Sequence, residues 1–306
     1  MFQGSMVALV TPFAEGRVDL AALKEDVAFQ IAGGTSALVP LGTTGESPVL
    51  SAAERAEILR TVVREARGKA PVIAGTGTND TRTTIEHTKS AEDLGVDAVL
   101  VVTPYYNRPS QEGLYLHFEA VAKSTKLPLC LYNVPGRTGV NLLPETVARL
   151  AKIRNIAAIK EASGSVEQAA QVRARCAITV LSGDDALTLP LMAQGAGGVI
   201  SVAANIVPRE MSEMCAAAAG GDLPRARAIH KRLEPLWKAL FLETNPVPVK
   251  TAMKFLGRGT GEVRLPLCGM SSANEEKLRR ALAGLTTSAS RQKRSGTGSK
   301  LPASRR

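Results

Sequence analysis

The chain has 306 residues, 44% of them hydrophobic and 22% charged, which supplies a sizeable core and excludes a disordered or coiled-coil chain. The formal charge is +10, yet residues 286–306 hold six Lys or Arg and no acidic residue, so only +4 is left for the remaining 285 positions. That is too little for a nucleic-acid-binding body, and no nucleic-acid partner is expected.

The N-terminal stretch MFQGSMVALVTPF has no basic leader, and its apolar run is far shorter than the ~20 residues that span a bilayer. Neither membrane insertion nor export is expected. Cys130, Cys176, Cys215 and Cys268 form no C-x-x-C pair, so neither a zinc knuckle nor a redox centre is indicated. A reducing, cytoplasmic setting is the expectation.

Eight short apolar runs follow in chain order: residues 6–10, 36–41, 71–75, 97–102, 127–132, 156–160, 178–182 and 197–201. Each has the length and near-continuous hydrophobicity of a strand covered on both faces of a parallel sheet. Between them lie amphipathic stretches such as 19–32, 51–67, 81–94 and 111–124, and Ser51 followed by Glu54 is a capping box. Eight such units predict an α/β fold, a (β/α)8 TIM barrel. A doubly wound open sheet shows similar alternation, but no G-x-G-x-x-G follows the first run. After residue 201 the segments 208–219, 223–242, 247–256 and 273–284 read as helices. The predicted organisation is a barrel over 1–222, a C-terminal helical region over 223–285 and a basic, disordered tail over 286–306.

In such a barrel the active site lies at the C-terminal strand ends, so polar residues that close an apolar run are the first candidates. Lys160 closes the sixth run. It reads either as a lysine snorkelling to solvent or as an amine that forms a Schiff base, for which burial must favour the uncharged form. Glu161, one residue on, should face the other way. Tyr132 closes the fifth run on the neighbouring strand, where a phenol can move protons; a structural tyrosine bonded to a carbonyl is the alternative. The loop Gly42-Thr43-Thr44-Gly45-Glu46 suits a carboxylate at the barrel mouth, although a plain βα turn explains it equally well. His87, His117 and His230 all fall in helix-like segments without H-E-x-x-H spacing and read as packing or surface residues, so no metal is expected.

Together, GTTGES (42–47), TPYYNRPSQEGLYLHF (103–118), YNVPGRTG (132–139), IKEASG (159–164), SGDDA (182–186) and NPVPVK (245–250) closely resemble the dihydrodipicolinate synthase family of pyruvate-dependent class I aldolases. The match runs in order from Met1 to about Leu285. The resemblance implies a lyase that condenses pyruvate with L-aspartate 4-semialdehyde to give 4-hydroxy-tetrahydrodipicolinate, on the diaminopimelate route to lysine, without metal or organic cofactor. It implies Lys160 as the imine-forming residue and Tyr132 as proton donor and acceptor. Thr43 and Tyr106 complete a proton relay, Tyr106 reaching in from an adjacent subunit of a homotetramer arranged as a dimer of dimers. Thr44 and the backbone of Ile200 are implied as pyruvate contacts, and Arg137 as the group that receives the second substrate's carboxylate.

Members inhibited by lysine bind it at an interface pocket to which Ser47, Asn79 and Tyr105 correspond. Ala52, Arg55 and Thr83 depart from that pattern, and Arg55 would repel the ammonium of lysine, so weak feedback is expected. Two further readings remain: an aldolase for N-acetylneuraminate or a ketodeoxy sugar acid, which Arg137 disfavours, and a barrel that has lost catalysis, which the full set Lys160, Tyr132, Thr43 and Tyr106 disfavours.

Overall fold

The structure is a computed structural model that describes the backbone of residues 1–295 and the side chains of residues 1–285. Its eight principal strands are β1 (Gly4–Ala8), β2 (Ala37–Val39), β3 (Ile73–Gly75), β4 (Ala98–Val102), β5 (Leu129–Asn133), β6 (Ile156–Glu161), β7 (Thr179–Ser182) and β8 (Gly198–Ser201). All eight predicted runs are strands. They form one parallel sheet in which each strand pairs with its sequence neighbours and β8 returns to β1, Gly4 opposite Gly198. Between β2 and β3 the circle is completed by a bridge from Leu38 to Val72 and by Leu38 N–H donating to the Pro71 carbonyl at 2.9 Å. The predicted barrel is observed.

The side chains divide as the two-residue period of a strand demands. Met6, Ala8, Leu100, Cys130, Ala158, Leu181 and Ile200 fill the barrel interior. Their neighbours Val7, Val99, Val101, Leu131, Ile159 and Val199 face outward against the helices. Both faces of each strand are therefore buried, which is why the sequence shows continuous apolar runs rather than alternation.

The helices α1 (Leu20–Ala32), α2 (Ala52–Ala66), α3 (Thr81–Asp93), α4 (Gln111–Lys123), α5 (Pro144–Leu150), α6 (Val166–Arg175), α7 (Thr188–Ala193) and α8 (Pro208–Ala219) each follow one strand. Side-chain oxygens of Asp19, Ser51, Asp80, Ser110 and Ser165 cap α1, α2, α3, α4 and α6, and the Ser51–Glu54 capping box forms in both directions. A small hairpin, Phe13–Ala14 with Arg17–Val18, lies between β1 and α1.

The last helices are α9 (Leu223–Ala239), α10 (Val247–Phe255) and α11 (Ser272–Ser295). Leu233, Leu236, Val249, Met253 and Leu278 belong to the same apolar cluster as the outer face of the barrel, so this region packs as an extension of the barrel's core. Helix α11 carries the chain ten residues past 285, where the sequence suggested a disordered tail; residues 296–306 lie outside the described residues. No helix among the described residues is long and apolar enough to cross a membrane.

Candidate active site

Strand β6 ends in Lys160 and Glu161, and alternation sends these side chains to opposite faces. Lys160 is 5% exposed and registers with Tyr132 on β5 and Leu181 on β7. Its Nζ stands 4.3 Å from the centroid of the Tyr132 ring, which brings together the two residues named first from the sequence. Among the described residues Lys160 makes no ion pair. Glu161 is occupied elsewhere: it accepts from Asn133 Nδ2 at 3.2 Å, Gln168 Nε2 at 3.1 Å and the Ser163 N–H at 2.7 Å. Beside the lysine stem lies Gly183, where a Cβ would stand 3.1 Å from Lys160 Cε and 2.6 Å from Ala162 Cβ. Its lack of a side chain leaves room for the lysine.

A cavity of about 470 Å³ opens at this end of the barrel, lined by Thr43, Tyr132, Arg137, Thr138 and Asn245 and reaching outward to Ser47, Arg55, His87 and Tyr105. Lys160, Thr44 and Ile200 do not line it directly. Lys160 adjoins it through Tyr132, and Thr44, 3% exposed, accepts a hydrogen bond at 3.0 Å from the lining residue Asn245. Ile200 is 1% exposed inside the barrel, its Cα paired with that of Met6. Arg137 rides on the short helical turn Pro135–Thr138 that follows β5, and its Nη2 donates to the Asn245 carbonyl at 3.2 Å.

Tyr106 is absent from this chain's cavity. It is 88% exposed with a backbone φ of +73°, its N–H donating to the Thr138 carbonyl at 3.2 Å. A bulky side chain in that region of φ is strained by roughly 1–3 kcal/mol. The loop therefore holds an aromatic side chain outward, away from its own barrel.

Asn245 carries no site signal in the sequence beyond its place at the start of NPVPVK. It connects Thr44 through its side-chain amide and Arg137 through its carbonyl, and its Oδ1 is buried without a partner. His87, read as a packing or surface residue, stands in the cavity wall, and burial lowers its pKa. Arg55, 8% exposed, donates to Ser47 Oγ at 2.6 Å and to the Gly75 carbonyl at 2.9 Å. Burial pushes its pKa down to about 10, so the guanidinium remains charged at neutral pH. At the end of β8 the buried Asp185 accepts from Ser201 Oγ at 2.5 Å and from the Ala203 N–H at 2.9 Å, and burial raises its pKa to about 6. Among the described residues no cluster of three or more His, Cys, Asp or Glu side chains is placed to hold a metal ion.

A family model described as the dihydrodipicolinate synthetase family matches residues 1–285. The chain belongs to that family. Within it, a 4-hydroxy-tetrahydrodipicolinate synthase of Geotalea daltonii is 57% identical over 280 residues, covering 91% of this chain and 97% of the relative. A solved dihydrodipicolinate synthase from Aquifex aeolicus superposes with a TM-score of 0.92 at 48% identity, covering 93% of this chain and 98% of the other. A monomeric dihydrodipicolinate synthase variant superposes equally well, with a TM-score of 0.92 at 44% identity over 93% of this chain and 97% of its own. Members of the dihydrodipicolinate synthetase family this similar share the barrel, the C-terminal helices and their order along the chain.

Proposed function

We propose that this chain is a 4-hydroxy-tetrahydrodipicolinate synthase, a lyase that joins pyruvate to L-aspartate 4-semialdehyde through an imine on Lys160. The observation that carries this reading is the buried Lys160 amine, 4.3 Å from the ring of Tyr132, which together with Arg137 lines the cavity. The 57% identity with a synthase of that name supports the same activity here.

In this mechanism the uncharged Lys160 amine adds to C2 of pyruvate, and the carbinolamine loses water to leave an iminium. Tyr132, with Thr43 in the same cavity and Tyr106 from a neighbouring subunit, carries the protons of these steps. The iminium acts as an electron sink, so C3 gives up a proton and becomes an enamine carbon. That carbon attacks the aldehyde of the second substrate, whose carbonyl oxygen takes a proton and becomes the hydroxyl. The substrate's own amino group then adds to the imine carbon, closes the ring and expels Lys160 as a free amine.

Thr44 and the backbone of Ile200 bind the pyruvate end. Arg137, exposed at the rim, forks to the carboxylate of the semialdehyde. Asn245 Oδ1, buried and unpaired, accepts a hydrogen bond from the incoming ligand. Pyruvate has no donor to offer, whereas the semialdehyde has its ammonium group. A sugar-acid aldehyde needs no such pair of carboxylate and ammonium contacts, which sets this reading above the alternative aldolases.

The test is a panel of aldehydes with pyruvate, comparing wild type with Arg137→Ala. Turnover with aspartate semialdehyde and a rise in its KM of about 100-fold in the variant support the reading. Preference for N-acetylmannosamine or a sugar-acid aldehyde contradicts it.

A further inference from the structure

Two motifs meet in the structure whose outer residues the reaction leaves without a role. The loop Gly42-Thr43-Thr44-Gly45-Glu46 carries the pyruvate-side threonines and ends in Glu46; the segment 245–250 begins with Asn245 and ends with Lys250. Glu46 Oε1 and Lys250 Nζ form an ion pair at 2.6 Å with their side chains 2% and 4% exposed. The other carboxylate oxygen accepts the Arg264 N–H at 3.0 Å, and Lys250 Nζ also stands 4.1 Å above the Phe13 ring. Five positions before Lys250, Asn245 Nδ2 donates to Thr44 Oγ1 at 3.0 Å. The two motifs therefore dock at two points across more than 200 positions of chain.

The loop needs such help. It has glycine at two of its five positions, and its only long side chain is that of Glu46, which itself adopts a φ of +53°. Glu46 N–H closes the turn on the Thr43 carbonyl at 3.1 Å, so the conformation of Glu46 and that of Thr43 are one geometric unit. A non-glycine residue persists at such a φ only where its surroundings over-determine it. Here a carboxylate locked by a buried ammonium and a backbone N–H does so. Stability alone does not account for the charges, because a buried ion pair is commonly replaceable by apolar side chains without loss.

We propose that Glu46 and Lys250 are positioning residues of the pyruvate-carboxylate site: the C-terminal region clamps the loop so that Thr43 and Thr44 are in place before the keto acid arrives. This rests on the reading of Thr44 as a pyruvate contact given above. A site held in advance spends less of its binding energy on ordering, so release of the clamp appears in the affinity for pyruvate.

The experiment is steady-state kinetics of Lys250→Met, Glu46→Gln and the double variant, with thermal unfolding as the check of fold and borohydride trapping of the pyruvate imine as a second readout. Each single change raises the KM for pyruvate about tenfold, leaves the KM for aspartate semialdehyde within about twofold, and still permits full trapping at saturating pyruvate. The double variant is no worse than either single one, and Lys250→Arg regains most of the affinity. Should Lys250→Met not fold, Glu46→Gln, which keeps the shape of the side chain and removes only its charge, carries the test with the same rise in pyruvate KM. A folded variant with wild-type pyruvate KM overturns the proposal, as does an equal rise for both substrates, the mark of general loosening. Absence of trapping in the wild type would instead contradict the role of Lys160, so the two failures are distinguishable.

Discussion

At the scale of single residues, the proposed chemistry requires Lys160 and Tyr132 to share one small volume, as they do at 4.3 Å. Tyr132→Phe keeps the ring beside Nζ and removes the hydroxyl to which proton transfer is assigned in the proposal, so kcat is expected to fall about 100-fold or more in steady-state assays while the protein stays folded. Gly183→Ala places a methyl 3.1 Å from Lys160 Cε, and activity drops at least tenfold although no polar group is lost. Arg55 holds a charged guanidinium in the outer part of the cavity, and lysine added to the assay is expected to inhibit little; strong inhibition at low lysine concentration contradicts that expectation. The adjacency of Lys160 and Tyr132 was legible because each closes an apolar run, which in a barrel is a statement of location. Asn245 was not, since it lies in the helical region beyond the strands, and only the folded chain brings its amide to Thr44. The place of His87 on α3 likewise says nothing of the cavity that the helix flanks.

At the scale of elements, local signals and burial act together. The Ser51 capping box opens α2, and Ser51→Ala is expected to cost about 1 kcal/mol, read as a lower unfolding temperature. Helix α4 buries His117, whose Nδ1 meets the Thr81 hydroxyl at 2.9 Å and whose Nε2 has no partner. Burial lowers its pKa from the usual 6.5 to about 4. The folded state therefore prefers the neutral ring, and the corresponding stability is present above pH 6.5 and is lost as the pH falls toward 4. The difference amounts to about 3 kcal/mol. Urea unfolding across that range, compared with His117→Gln, is expected to show a steeper acid loss for the wild type; parallel curves contradict it. The eight strands and the capped helices were legible because period and punctuation agree. The hairpin at Phe13–Ala14 was not, since strands of two residues are too short to show a period. Nor was the reach of α11 past 285: a helix continues by hydrogen bonds along its own backbone, without the apolar periodicity that marks a packed helix in a sequence.

At the scale of the whole molecule, the barrel builds most of the site and the C-terminal region closes it. Tyr106, exposed and strained on its own chain, is the exception, and the proposed relay draws it from a second copy. The protein is expected to sediment as a dimer or larger. Mixed preparations of Tyr106→Phe and Lys160→Ala, each nearly inactive, regain activity, because the first chain supplies the lysine and the second the tyrosine; no recovery means that the tyrosine acts within its own chain. The central claim is tested most directly by borohydride reduction in the presence of pyruvate, followed by mass mapping of the peptides. The account predicts one carboxyethyl group per chain, on Lys160 and lost in Lys160→Ala. A label on any other residue, or none, contradicts it.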